Sequence, residues 1–125
     1  MSETFQKRVA ELSVRFSQGL PDRFAAIERL AAHLRAGGAA EGTPLPGDLE
    51  PPLRELRRRL HEIAGVAATL GFPGLGATAR QLEQPLAEVI GQRGRLDDVP
   101  VGAALADPRR ALEDALVADR AAAGL

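Results

Sequence analysis

Two histidines occur in the chain, and one of them, His61, sits in a pattern that could support chemistry. A neutral imidazole is a nucleophile near pH 7 and can carry a covalent intermediate. Around it, Leu53, Leu56, Leu60, Ile63, Ala67 and Leu70 recur at alternating steps of three and four. That is the apolar stripe of an amphipathic helix. At about 100° per residue, His61 falls off the stripe, toward water. One turn on come Ala64, Gly65 and Ala68, which carry almost no side chain; one turn back come Arg54, Arg57 and Arg58. The pattern predicts an imidazole on a bare patch with a cationic border, although arginines so placed can equally be a solvated helix face.

Gly65 sharpens this reading. A glycine inside a helix costs roughly 1 kcal/mol relative to alanine. Close helix packing would explain it if the glycine lay on the stripe. It lies instead about 140° from Leu60 and about 40° from His61. The expectation is that something outside the domain comes close to the imidazole.

Other chemistry finds little support. There is no cysteine, hence no disulfide framework, thiolate nucleophile or zinc-finger spacing. No Gly-rich phosphate loop, aspartate cluster for magnesium or ATP site is legible. His33, near the end of a helical stretch, is too isolated to build a metal site with His61. A formal net charge of −1 gives no global pull toward nucleic acid or an anionic membrane. The N-terminus is polar and no apolar run is long enough to span a bilayer, so a cytoplasmic protein is expected.

From His61 onward the chain reads Ile63, Gly65, Ala67, Ala68, Thr69, Leu70, Gly71, Phe72, and the next helical stretch carries Leu82 and Glu83. This run resembles the histidine phosphotransfer (HPt) domains, including the phosphorylated N-terminal domain of chemotaxis histidine kinases. The shared pattern is a helical histidine, an apolar residue two on, glycine four on, small residues, a Leu-Gly-aromatic break and a second helix. The 22-residue separation of His61 and Glu83 fits the chemotaxis type. The resemblance implies that His61 accepts a phosphoryl group on Nε2 while Glu83 accepts from Nδ1–H. Many members carry a lysine three residues after the histidine, where this chain has Ala64. Arg57, Arg58 or Arg80 would then supply the positive charge, or the partner would. Arg57, Arg58, Ala64, Gly65, Ala68 and Arg80 are the expected partner-contact residues.

The resemblance further implies a phosphocarrier rather than an enzyme. It would exchange its phosphoryl group with a response-regulator receiver domain or a histidine kinase. No cofactor is expected on this chain; the magnesium and the acceptor aspartate would belong to the receiver. A monomer is expected. The alternatives are an HPt-shaped helical adaptor without phosphotransfer, or the N-terminal HPt part of a larger histidine kinase.

At 125 residues, with 45% hydrophobic but only 3% aromatic residues, one all-α domain built on Leu, Ala, Ile and Val is expected. Ser2 or Thr4 could cap a first helix with the stripe Phe5, Val9, Leu12 and Phe16. Gly19-Leu20-Pro21 reads as its end, and Asp22 as the start of a second helix with the stripe Phe24, Ile27, Leu30, Ala31 and Leu34. Residues 37–50 read as a flexible surface loop, after which Asp48, Pro51 and Pro52 open the central helix and Gly71 stops it. A fourth helix from Pro73 carries Leu75, Ala79, Leu82, Leu86, Val89 and Ile90, with Pro85 predicting a bend or break near Gln84. Residues 91–101 read as turns and 108–122 as a last helix. The expected architecture is an up-down antiparallel four-helix bundle with one accessory helix, the N-terminal one.

Overall fold

In the computed structural model, residues 3–39, 46–91 and 101–124 are described. Five α-helices follow in order: α1 (Glu3–Ala36), α2 (Glu50–Val66), α3 (Pro73–Gly91), α4 (Val101–Ala106) and α5 (Pro108–Ala122), with a 3-10 turn at Gly47–Leu49 before α2. The four long helices form the bundle. Side-chain tethers fix its up-down sense. Ser13 Oγ in the first half of α1 donates to the Leu70 carbonyl beyond the end of α2 at 2.8 Å, and Arg120 near the end of α5 donates to Ser17 Oγ at 2.9 Å. At the opposite end, Arg35 of α1 donates to the Leu105 carbonyl, just ahead of α5.

The periodic residues make the core. Leu53, Leu56, Leu60, Ile63 and Ala67 are buried, as are Leu75, Ala79, Leu86 and Val89 of α3, while Leu70, Leu82 and Ile90 pack against them half-buried. α2 ends at Val66, short of the expected stop at Gly71, and residues 67–71 continue as a turn that is closed by Gly71. The φ of Gly71 is +97°, its N–H donates to the Ala68 carbonyl at 3.3 Å, and the Phe72 N–H donates to the Ala67 carbonyl at 2.8 Å. This is the Schellman pattern, for which glycine is suited because it lacks the Cβ that disfavours left-handed backbone. The reversal sends α3 back antiparallel to α2.

Several expected boundaries are overturned. The chain does not break at Gly19-Leu20-Pro21: α1 is one helix of 34 residues, and Asp22 opens nothing. Proline inside a helix costs about 3 kcal/mol. The buried positions Phe16, Leu20, Phe24, Ile27, Ala31 and Leu34 nevertheless keep helical register across it. Each large apolar side chain so buried contributes about 1.5–3 kcal/mol, so together they outweigh the proline, which sits exposed. The N-terminal segment is therefore the first half of a bundle helix, and the short helix is α4 instead. Pro85 likewise does not interrupt α3.

The expected loop at 37–50 is narrower, because Leu49 is buried in the 3-10 turn and Glu50 already belongs to α2. Asp48 makes no cap; Leu49 is the N-cap of α2, and proline stands in its first turn. Ser2, the loop centre at 40–45 and the turn-rich stretch at 92–100 lie outside the described residues.

One buried carboxylate ties the bundle together at the α3 entrance. Asp119 of α5 accepts from the Gly74 N–H at 2.9 Å and the Leu75 N–H at 2.8 Å. These are among the orphan donors of a helix N-terminus, here satisfied from another helix. A Cβ at residue 74 would stand 2.6 Å from Asp119 Oδ1, so glycine is what lets the carboxylate in. Among the described residues no helix is long and apolar enough to cross a membrane.

Candidate functional site

The tight reversal at Gly71 lays α3 alongside α2, and this antiparallel pairing brings residues 61 and 83 together. His61 is exposed, with 62% of its side-chain surface open, and its Nδ1 lies 2.9 Å from Glu83 Oε1. Glu83 follows half-buried Leu82 and is itself buried, 11% of its side-chain surface remaining open. A carboxylate can only accept, and in this geometry it favours the tautomer that carries the proton on Nδ1 and the lone pair on Nε2. Arg57, one turn before His61, approaches the same oxygen with Nε at 3.2 Å. Glu83 is thus held from two sides, by a cation and by the ring it orients.

Beside the ring is a hollow of about 380 Å³ whose walls include His61, Ala64, Gly65, Arg80, Glu83 and Ala87. Gly65 faces open space: a Cβ placed there meets nothing within 4 Å. Ala68 is exposed nearby on α2's continuation, whereas Ala64 is buried, so it lines the floor of the hollow rather than a surface patch. Two helical steps of four from Leu56 reach Ala64, and the flank of the stripe turns under α3.

The arginines separate into distinct roles. Arg54 binds Glu50 at 2.9 Å and Arg59 binds Glu55 at 3.0 Å. Arg58 holds Glu55 and Glu62, each at 2.5 Å, on the exposed face of α2. The hydrogen bond and charge of Arg58 keep the Glu55 carboxyl below its ordinary range, and Glu55 in turn raises the arginine's affinity for its proton. Arg57 is on Glu83. Arg80, on α3, is exposed and makes no ion pair or hydrogen bond among the described residues.

Sequence reasoning passed over a second hollow that shares Gly65 with the first. It encloses about 450 Å³ between α1 and the end of α2, with Leu12, Phe16, Val66 and Leu70 as its apolar walls and Arg15 and Arg23 on its border. Arg23 lies over the Phe16 ring, 5.5 Å from its centre. Leu12 and Val66 are roughly half exposed. Leu12 and Phe16 form a stripe in the sequence, and it is the unbroken course of α1 through Pro21 that lays them beside the end of α2. The Arg57–Glu83 pair was also missed; its only signal was the four-residue spacing that puts Arg57 and His61 on one helix face.

Among the described residues no group of three or more His, Asp or Glu side chains is placed to hold a metal ion. Fold and site together define an all-α bundle that displays a carboxylate-oriented histidine on its side. Residues 11–122 match the family model of the Hpt domain, and the chain belongs to that family. Its members are phosphocarriers rather than catalysts, working with kinases and response-regulator receivers in two-component signalling. No curated protein and no solved structure matches the chain significantly.

Proposed function

We propose that this chain relays phosphoryl groups through His61. The Nε2 lone pair attacks the phosphorus of an aspartyl phosphate on a receiver domain. The P–O bond to that aspartate breaks, and its electron pair leaves on the carboxylate. The Nδ1 proton stays in place, and Glu83 offsets the positive charge that the ring acquires. Return of the phosphoryl group to a second aspartate is the same step reversed. Magnesium and the acceptor aspartate come with the receiver, since phosphoryl transfer depends on positioning and on cationic stabilisation of the oxygens. The relay needs no cofactor on this chain, and it operates as a monomer beside cytoplasmic receivers.

The single observation behind this reading is the 2.9 Å contact between His61 Nδ1 and Glu83, made by a ring that is otherwise open to water. Gly65 and Ala68 provide the landing ground for the receiver, with Arg57 and Arg58 at one edge and Arg80 across the hollow. The apolar groove at Leu12, Val66 and Leu70 extends that surface. An interface of about 1,200 Å² or less suits a transient encounter.

The test is to incubate the chain with receivers charged by acetyl phosphate and to follow acid-labile label. Label at His61 supports the relay. No label from any receiver of the source organism overturns it and leaves an adaptor of the same shape.

A further inference from the structure

A phosphoryl group on Nε2 carries close to two negative charges at three oxygens, and a cation within reach stabilises it. Residue 64, one turn after the histidine, cannot provide one, being a buried alanine. Nor does α2 hold a free cation elsewhere. Its four arginines, at 54, 57, 58 and 59, are all occupied by Glu50, Glu83, Glu55 and Glu62. Drawing any of them onto a phosphoryl group would break an existing pair, and moving Arg57 would release the carboxylate that orients the ring.

The antiparallel run of α3 supplies the alternative. With Glu83 level with His61, three residues back along α3 is level with three residues forward along α2, at about 1.5 Å of rise per residue. Arg80 therefore stands level with Ala64, on the same face of α3 as Glu83. It lines the hollow together with His61 and Gly65, and its guanidinium has no partner among the described residues. We infer that Arg80 binds the phosphoryl oxygens of phospho-His61, so that the charge which α2 lacks is delivered from α3. This rests on the relay reading and deepens it. Division of labour follows: Glu83 with Arg57 serves the Nδ1 side of the ring, and Arg80 serves the Nε2 side.

Phosphoramidate provides a test that needs no partner protein. His61 Nε2 attacks its phosphorus, the P–N bond breaks, ammonia leaves, and Nδ1 keeps its proton. The phosphohistidine ³¹P resonance is then titrated with pH in the wild type, Arg80→Gln, Arg80→Lys and, as a control on α5, Arg109→Gln. A neighbouring cation favours the dianion, so Arg80→Gln should raise the ³¹P midpoint by roughly 0.5 pH unit. Arg80→Lys should recover part of the shift, and Arg109→Gln should leave the midpoint in place. An Arg80→Gln midpoint equal to that of the wild type overturns the inference while His61 remains the carrier. Absence of His61 label in the wild type, or equal labelling of His61→Gln, overturns the relay reading instead.

Discussion

His61 Nδ1 and Glu83 Oε1 stand 2.9 Å apart across 22 residues of sequence, and Arg57 reaches the same carboxylate oxygen at 3.2 Å. The carboxylate is buried and the imidazole is not. In the proposed relay, this buried acceptor beneath a solvent-facing ring favours the Nδ1–H tautomer before a receiver arrives. Preorganisation of this kind lowers a barrier because no reorientation is required at the moment of transfer.

Replacing Glu83 by Gln removes the charge and keeps the shape. A hydrogen bond to a charged group contributes about 1.5–3 kcal/mol, so phosphotransfer to His61 should slow by roughly 10- to 100-fold. Stopped-flow or quenched-flow transfer from a charged receiver measures this. Nitrogen NMR of the ring should show loss of the preference for a protonated Nδ1. An unchanged tautomer and an unchanged rate would remove Glu83 from the site.

His61→Gln should abolish acid-labile labelling by a phosphorylated receiver with circular dichroism unchanged, because the side chain is exposed and packs against little. Retained label would assign the carrier role to His33 or another group.

Gly65 offers a test in two directions. Its surroundings are empty, so Gly65→Ala should stabilise the chain by about 0.5–1 kcal/mol. Gly65→Leu should also fold, yet transfer from a receiver should fall by at least about tenfold, equivalent to 1.4 kcal/mol. Normal transfer in the leucine variant would contradict the view that a partner lands there.

The groove beside the site should contribute to docking. Val66→Asp places a charge on its wall and should weaken receiver binding by about tenfold, as read by titration calorimetry. Labelling of His61 by phosphoramidate should be unaffected. Equal receiver affinity would confine the interface to the hollow around His61.

Asp119 holds the entrance of α3 to α5. Asp119→Ala leaves the Gly74 and Leu75 donors without their acceptor and should cost about 1–3 kcal/mol, lowering Tm by roughly 4–12 °C. Thermal unfolding followed by circular dichroism checks it, and a Tm within one degree of the wild type would show that water replaces the carboxylate without loss.

Much of this was legible before folding. The stripes of α2 and α3, the chain reversal at Gly71 and the exposure of His61 are set by signals that act within a turn or two, and local spacing and residue type report them directly. Gly65 was identified as a packing-free position for the same reason: its angle from the stripe follows from helix geometry alone. The pairing of His61 with Glu83 was reached through the resemblance of the motif, and the reversal at Gly71 is the physical cause of their meeting.

Other features depended on what lies across the bundle. Whether Pro21 ends a helix is decided by the burial of Leu20 and Phe24, a non-local gain that local signals cannot register. Ala64 and Ala68 look alike in sequence, but α3 covers one and leaves the other open. The arginines form a uniform cationic border until their partners are known, because a long, flexible side chain goes to whichever carboxylate the neighbouring turn or helix presents. The pairings of Arg57 and Arg58, the absence of a partner for Arg80 among the described residues, and the capping of α3 by Asp119 were therefore decided by the tertiary structure, which brings some distant charges within hydrogen-bonding reach and leaves others apart.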